Sequence, residues 1–357
     1  MHYAGTISKS NNNNMKVTIN DVARLAGVSM KTVSRVMNNE PSVRKKTSDK
    51  VMAAVKELNY KPNLAARSLA GTKSFAIGLV YSNPNAYYVI DMQNGILSRC
   101  KEEGYELLIH PCSNTDENVL DEIQTMIERS RLSGLVLTPP LSERQDVTDL
   151  LDSMNINYVR ILSGREPTEE QTKSNAIFVN DHDAAYQITE HLISLGHKHI
   201  AFITGEEEHK STLERLDGYK AALSAHNIDV DDALIFPGKY SFESGVEGAK
   251  ALMKQDSKVT AIFACNDEIA AGALFASRLM DIKIPEQLSI TGFEDSPFSK
   301  QTWPKLTTAH QSNQDIATQA AKLLFANSRP TKIKEDKMAI CFTPELVVRD
   351  STGRIMQ

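Results

Sequence analysis

Between Thr18 and Asn38 the apolar residues repeat with the period of an α-helix twice in succession, and a single glycine separates the two repeats. Ile19, Val22, Ala23 and Ala26 fall at i, i+3, i+4 and i+7, one face of a helix. Thr18 stands where a cap is needed, and Asp21 three residues on places a negative charge at the positive helix end. Gly27 suits the position just past a helix C-terminus. Ser29 then caps a second helix, MKTVSRVMN, whose Val33, Val36 and Met37 form an inward stripe. Its opposite face shows Lys31, Ser34, Arg35 and Asn38 at the same spacing. A third helix, from about Thr47 to Leu58, turns Val51, Met52, Val55 and Leu58 inward. Two short helices around a glycine turn, with a polar face on the second, make a helix-turn-helix. In that arrangement the second helix enters the major groove, where Lys and Arg suit guanine, Asn suits adenine and Met30 meets a thymine methyl. A small three-helix bundle with a solvated face shares this periodicity, so charge has to separate the two.

Residues 15–75 hold twelve Lys and Arg against four Asp and Glu, a net of +8. Residues 76–357 hold 27 against 41, a net of −14, so the overall −5 conceals a basic head on an acidic body. That asymmetry is the electrostatic footprint of a nucleic-acid module joined to something else.

After residue 75 the chain alternates short apolar runs with helix-length amphipathic stretches. The strand-like runs are 75–81, 106–111, 134–138, 157–162, 176–179, 199–204, 261–265 and 288–293. This βαβ rhythm predicts parallel sheets with helices on both faces. Eight strands over some 280 residues divide better into two sheets than one. Ligands in such folds bind beyond the C-terminal ends of strands, here in the cleft between two lobes.

Other classes are excluded by what the chain lacks. No GxSxG, HExxH, P-loop or GxGxxG occurs, so no enzyme constellation and no cofactor are expected. Cys100, Cys112, Cys265 and Cys341 are scattered without a CxxC. His197 and His199 in GHKH share one face of a strand, but no metal site is expected there. No apolar run approaches the roughly 20 residues of a membrane span. Residues 1–14 read as a polar, Asn-rich leader without a signal-peptide core, and Met15 offers a second start. Free thiols without an export signal point to the cytoplasm.

Residues 62–74 read as a linker with a purpose. Pro62 breaks the chain, Asn63 caps, and LAARSLA is helix-prone but about two turns long, marginal in water without a partner.

The segment TINDVARLAGVSMKTVSRVMNN, followed by VRKKTSDKVMAAVKELNYKPNLAARSLAG, resembles the head of a lactose-repressor (LacI/GalR) family regulator. The resemblance continues through IGLVYSNPNAYY, LISLGHKHIAFITG, ERLDGYKAAL, YSFESG, AIFACNDEIAAGAL, PEQLSITGFEDS and PKLTTAHQS. It implies an α/β protein with a three-helix helix-turn-helix head (15–61), a hinge helix and linker (62–74) and a two-lobed core (75–357) like the periplasmic sugar-binding proteins. Lobe one is expected at about 75–174 and 311–330, lobe two at about 175–310 and 331–357, with three crossings. Carried onto this chain, the DNA contacts are Thr18, Ser29, Met30, Lys31, Thr32, Ser34, Arg35 and Asn38, with Asn63, Ala66, Arg67 and Leu69 on the hinge. Leu69 would be an apolar wedge in a minor-groove step. The effector contacts are Tyr87, Tyr88, Arg215, Tyr240, Asn266 and Glu294, Asn266 being equally a helix cap. Glu294 departs from the family's usual Asp, and Arg160 in strand four is unusual and faces either the cleft or the structure around it. The resemblance implies a homodimeric repressor of a carbohydrate-utilisation operon that binds operator DNA and answers a small-molecule effector, a sugar. A nucleoside or purine effector is the alternative. A solute-binding protein would share the core but needs an export signal and has no helix-turn-helix.

Overall fold

The computed structural model describes residues 17–37, 42–60, 75–83, 85–165, 175–254, 258–327 and 340–355. The chain divides into two compact units, Met1–Thr72 and Lys73–Gln357.

The first unit contains helices α1 (Ile19–Ala26), α2 (Met30–Met37) and α3 (Lys45–Glu57). The Asp21 carboxylate accepts from the Thr18 N–H at 2.9 Å and the Thr18 hydroxyl at 2.7 Å, fastening the start of α1. Gly27 ends α1 at φ 65°, the left-handed region that a side chain resists. The Ser29 hydroxyl then accepts from the Thr32 N–H and opens α2. Val22 and Ala23, Val33 and Val36, and Val51 and Ala54 supply the buried centre, one pair from each helix. Met52, expected inward, is half exposed, and Ala54 takes its place. The stripe on α3 is therefore 51, 54, 55 and 58, the true i, i+3, i+4, i+7 set. The hinge segment 62–74, including Asn63, Ala66, Arg67 and Leu69, lies outside the described residues, as does Asn38.

The second unit holds two parallel sheets. The first has the order β11-β5-β4-β3-β1-β2. Its strands are β1 (Ala76–Tyr81), β2 (Glu106–Pro111), β3 (Leu135–Leu137), β4 (Tyr158–Ser163), β5 (Ala176–Val179) and β11 (Ile340–Phe342). Helices α4 (Ala86–Glu103) and α12 (Asn313–Asn327) cover one face through Met92, Ile96, Ala317 and Leu324. Helices α5 (Val119–Ser130) and α6 (Gln145–Ser153) cover the other through Ile123, Ile127, Val147 and Leu151. Strands buried on both faces read as continuous apolar runs, which is how AIFV and AIGLVY are spelt.

The second sheet has the order β7-β6-β8-β9. Its strands are β6 (Ile200–Ile203), β7 (Ile235–Phe236), β8 (Ala261–Ala264) and β9 (Ser289–Thr291). Two helix pairs flank it, α7 (Asp181–Ser194) with α8 (Lys210–Ala225), and α9 (Phe242–Leu252) with α10 (Asp267–Leu279). A short helix α11 (Pro297–Gln301) and an antiparallel ribbon of β10 (Thr308–His310) with β12 (Glu345–Val347) complete this lobe.

One division differs from expectation. The segment from 175 and the C-terminal segment were assigned to lobe two, yet β5 and β11 pair in the first sheet, Ile177 opposite both Ile161 and Ile340. All four β5 residues are buried, so the strand has to end between sheet neighbours, and the chain crosses only at Asn180, the cap of α7. The chain returns to lobe one before α12 and leaves it again between β11 and β12, which makes three crossings.

Candidate functional site

The C-terminal ends of the central strands face a cleft between the lobes. Lobe one contributes Asn83, Asn85 and Tyr88 after β1, Pro139 after β3, and Ile161, Leu162 and Ser163 from β4. Lobe two contributes Asp181, His209, Ser211, Arg215, Tyr240, Asn266 and Glu294.

Arg215 anchors the floor. Its Nε donates to Asp181 Oδ1 at 2.9 Å and its Nη1 to the Cys265 carbonyl at 2.7 Å. Its guanidinium carbon lies 3.8 Å from the Phe293 ring centre, a cation–π contact. Burial opposes its charge most strongly of any single cause, but Asp181, Tyr240, Cys265 and Glu294 together outweigh it, and the net effect raises the guanidinium pKa. Ser163 Oγ donates to the second Asp181 oxygen at 2.9 Å. The arginine expected to grip an effector is thus largely committed to holding α7, α8 and the end of β8 together. Gly218 lets α7 and α8 approach closely: a Cβ there would meet the His182 carbonyl oxygen at 2.2 Å.

Glu294 follows β9 with φ 97°, a strained conformation for a residue with a side chain. Its Oε2 accepts from Asn85 Nδ2 at 2.6 Å across the lobes, and its Oε1 lies 3.8 Å from Arg215. Burial pushes its carboxyl up to about 8, against the pull of Arg215 and with repulsion from Asp267. Burial likewise raises Asp267 to about 7, although the Thr308 hydroxyl and the Ser296 N–H hold it lower than burial alone would. Glu143 reaches about 7 by burial, opposed by the Ser163 N–H and by Lys210.

Asn266 caps its helix and also lines the cleft. Its Oδ1 caps α10 by accepting from the Ile269 N–H at 2.9 Å. Its Nδ2 is buried in the cleft wall with no hydrogen-bond partner. Gln311 Oε1, also in the wall, is a buried acceptor without one. Tyr240 packs edge-on against His209 and shares its hydroxyl with Thr212 at 2.8 Å. Tyr88 is buried and lines the cleft. Tyr87 is not among the lining residues; it is exposed and packs edge-on against Phe298. One residue earlier or later on a helix start turns a side chain through about 100°, so of two adjacent tyrosines one alone faces inward. Arg160 is also absent from the lining and lies near Tyr158. Asp181, Ser163, Asn85, His209 and Gln311 were not anticipated. The only signal for Asp181 was its place after a buried strand, at the start of a helix.

On the head, Thr18, Ser29, Met30, Lys31 and Arg35 are exposed, and Thr32 and Ser34 are partly so. Those on α2 lie away from the buried Val33 and Val36, and Thr18 precedes α1. His197, by contrast, is buried between the Thr260 hydroxyl and the Gly353 carbonyl at 3.0 and 3.1 Å, a structural role.

Comparison with known proteins matches one stretch of the head and one of the core. Residues 18–63 match the profile of bacterial regulatory proteins of the lacI family, and residues 189–352 match a periplasmic binding protein-like domain. The HTH-type transcriptional repressor PurR of Haemophilus influenzae (strain PittEE) is 32% identical over 343 residues, covering 95% of this chain and 99% of the relative. The HTH-type transcriptional regulator DegA of Bacillus subtilis (strain 168) is 32% identical with the same coverage. Among solved structures, the lac repressor dimer bound to operator and the anti-inducer ONPF superimposes with a TM-score of 0.73 at 29% identity, over 94% of this chain and 99% of that one. The transcriptional regulator CelR in its cellobiose complex gives 0.69 at 26%, over the same shares. With a helix-turn-helix head, a two-lobed core and full-length relatives in common, the chain belongs to the lacI family of DNA-binding bacterial transcription regulators.

Proposed function

We propose that this regulator is a cytoplasmic, homodimeric repressor whose operator affinity is switched by a neutral, flat heterocycle of the purine class bound in the cleft. The observation that carries this reading is the pairing of an unsatisfied donor, Asn266 Nδ2, with an unsatisfied acceptor, Gln311 Oε1, in one cavity. Leaving either group buried and unpaired costs about 1–3 kcal/mol, and a ligand carrying both an acceptor and a donor removes both penalties. Arg215 is already paired with Asp181, and burial favours the protonated form of Glu294. A protonated carboxyl offers a donor and an acceptor side by side, the complement of an N–H/C=O ring edge. Tyr88, Tyr240, Pro139, Ile161, Leu162 and Val179 supply apolar surface for the ring faces. The PurR name of several full-length relatives supports the purine reading over the carbohydrate one.

The carbohydrate reading rests on a specific observation too, the cellobiose in the CelR complex. A thermal-shift panel of purine bases, nucleosides, mono- and disaccharides separates them, because a ligand that binds only the folded state raises its melting temperature. A purine base that stabilises the chain, with Asn266→Ala losing the effect, supports the proposal. Stabilisation by sugars alone rejects it. DNA reading falls to Lys31, Ser34 and Arg35 on α2 and to Asn38, which lies outside the described residues, phosphate contact to Thr18, and hinge contacts to Asn63, Ala66, Arg67 and Leu69.

A further inference from the structure

Away from the cleft, three groups of metal-ligand type converge on the outer edge of the first sheet. His110 lies on the edge strand β2, Cys112 follows it by two residues, and Glu122 stands in the first turn of α5. Two residues apart on an extended chain, His110 and Cys112 share a face, and the Cys112 N–H bonds the Tyr81 carbonyl at 2.9 Å, so the ladder continues past the end of β2. The imidazole, thiol and carboxylate ligand atoms all lie within 4.8 Å of one another. His110 Nε2 is buried and makes no hydrogen bond, although Glu122 Oε1 is 3.1 Å away. A nitrogen and an oxygen 3.1 Å apart can each bond one ion at about 2.0–2.1 Å with an angle at the metal close to tetrahedral.

We propose that His110, Cys112 and Glu122 bind a divalent first-row transition metal, zinc in the first place. One imidazole, one thiol and one carboxylate are a borderline donor set, which suits Zn²⁺ and disfavours Mg²⁺ or Ca²⁺. Three protein ligands leave a fourth position for water. Binding transfers the thiol proton to solvent and makes three bonds to the ion, with no change in oxidation state. The ion ties β2 to the start of α5 and closes the 113–118 loop between them. That loop is already tied to its neighbours, with the Asn114 N–H bonding Ser82 Oγ at 2.9 Å and Arg144 bonding the Asn114 carbonyl at 2.8 Å.

The test uses the untagged full chain, freed of metal with chelator and titrated with Co²⁺ and then with Zn²⁺ against a chromophoric chelator. The expected result is one equivalent of Co²⁺ with a thiolate-to-metal absorption band, displaced by Zn²⁺. Cys112→Ser abolishes the band. Glu122→Ala, a change at a half-exposed helix start that the fold tolerates, weakens binding by at least the 10–100-fold that loss of an outer-shell partner costs. Cys341→Ser, at the exposed thiol on β11, leaves binding unchanged. No stoichiometric band in the wild type, a band that survives Cys112→Ser, an affinity unchanged in Glu122→Ala, or a band lost with Cys341→Ser would overturn the site.

Discussion

Arg215 and Asp181 are both almost fully buried and satisfy each other. A buried pair of this kind is weak evidence for net stability, but breaking it strands a charge. Arg215→Ala should therefore destabilise the core by about 3–5 kcal/mol, read as a lower urea midpoint, as well as abolish the ligand response. A variant as stable as the wild type would show that the pair is not what holds α7 to α8. Glu294 gives a pH signature with a definite sign. Its folded value is raised from the ordinary 4.5 to about 8, so the fold prefers the protonated form. Its stabilising contribution is complete below about pH 4.5 and is lost as pH rises through 8. Glu294→Gln keeps the neutral shape at every pH. It should melt above the wild type at pH 8 by at least about 2–4 °C, the shift that 1 kcal/mol produces in a domain of this size, and the gap should close towards pH 5. A pH-independent gap would mean that Glu294 is charged throughout.

Among the elements, α1, α2 and α3 could be read from sequence because each repeats its apolar residues at helical spacing, with Thr18, Gly27 and Ser29 as punctuation. Strands β1, β2, β4, β5, β6 and β8 were equally plain, being apolar runs between amphipathic stretches. What sequence does not carry is pairing at long range. Strand β5 looks the same whether it joins β4 or begins the second sheet, and β7, only two residues long, has no pattern of its own. Asp181 and Arg215 are 34 residues apart and meet only because Gly218 lets their helices touch. Gly218→Ala should push α7 from α8, costing about 1–3 kcal/mol as overpacked cores do, and weaken ligand binding because Asp181 and Arg215 sit on those two helices. A stable variant with unchanged ligand affinity would show that the contact has slack. On α2, Lys31→Ala and Arg35→Ala should each lower affinity for operator more than for random DNA. The discrimination lost should be about 1–3 kcal/mol for a base contact. Equal loss on both DNAs, measured by fluorescence anisotropy, would assign them to phosphate instead.

For the molecule as a whole, the basic head and acidic core divide the work. The head's charge draws it to DNA in a salt-dependent way, while the acidic core contributes little to that attraction. The cleft is built from both lobes, Asn85 reaching Glu294 across it, so a ligand there alters the energy of one lobe arrangement against another. Coupling of this kind is worth about 1–3 kcal/mol, or a 5- to 150-fold change in operator affinity, and it must be reciprocal, with operator changing ligand affinity by the same factor. Operator is obtained by selecting binding sites from random DNA with the full-length chain. Its affinity is then measured by fluorescence anisotropy with and without the purine that stabilises the protein. The account predicts a change within that 5- to 150-fold range for the wild type and none for Asn266→Ala. Identical operator affinities with and without a saturating cleft ligand in the wild type would contradict it.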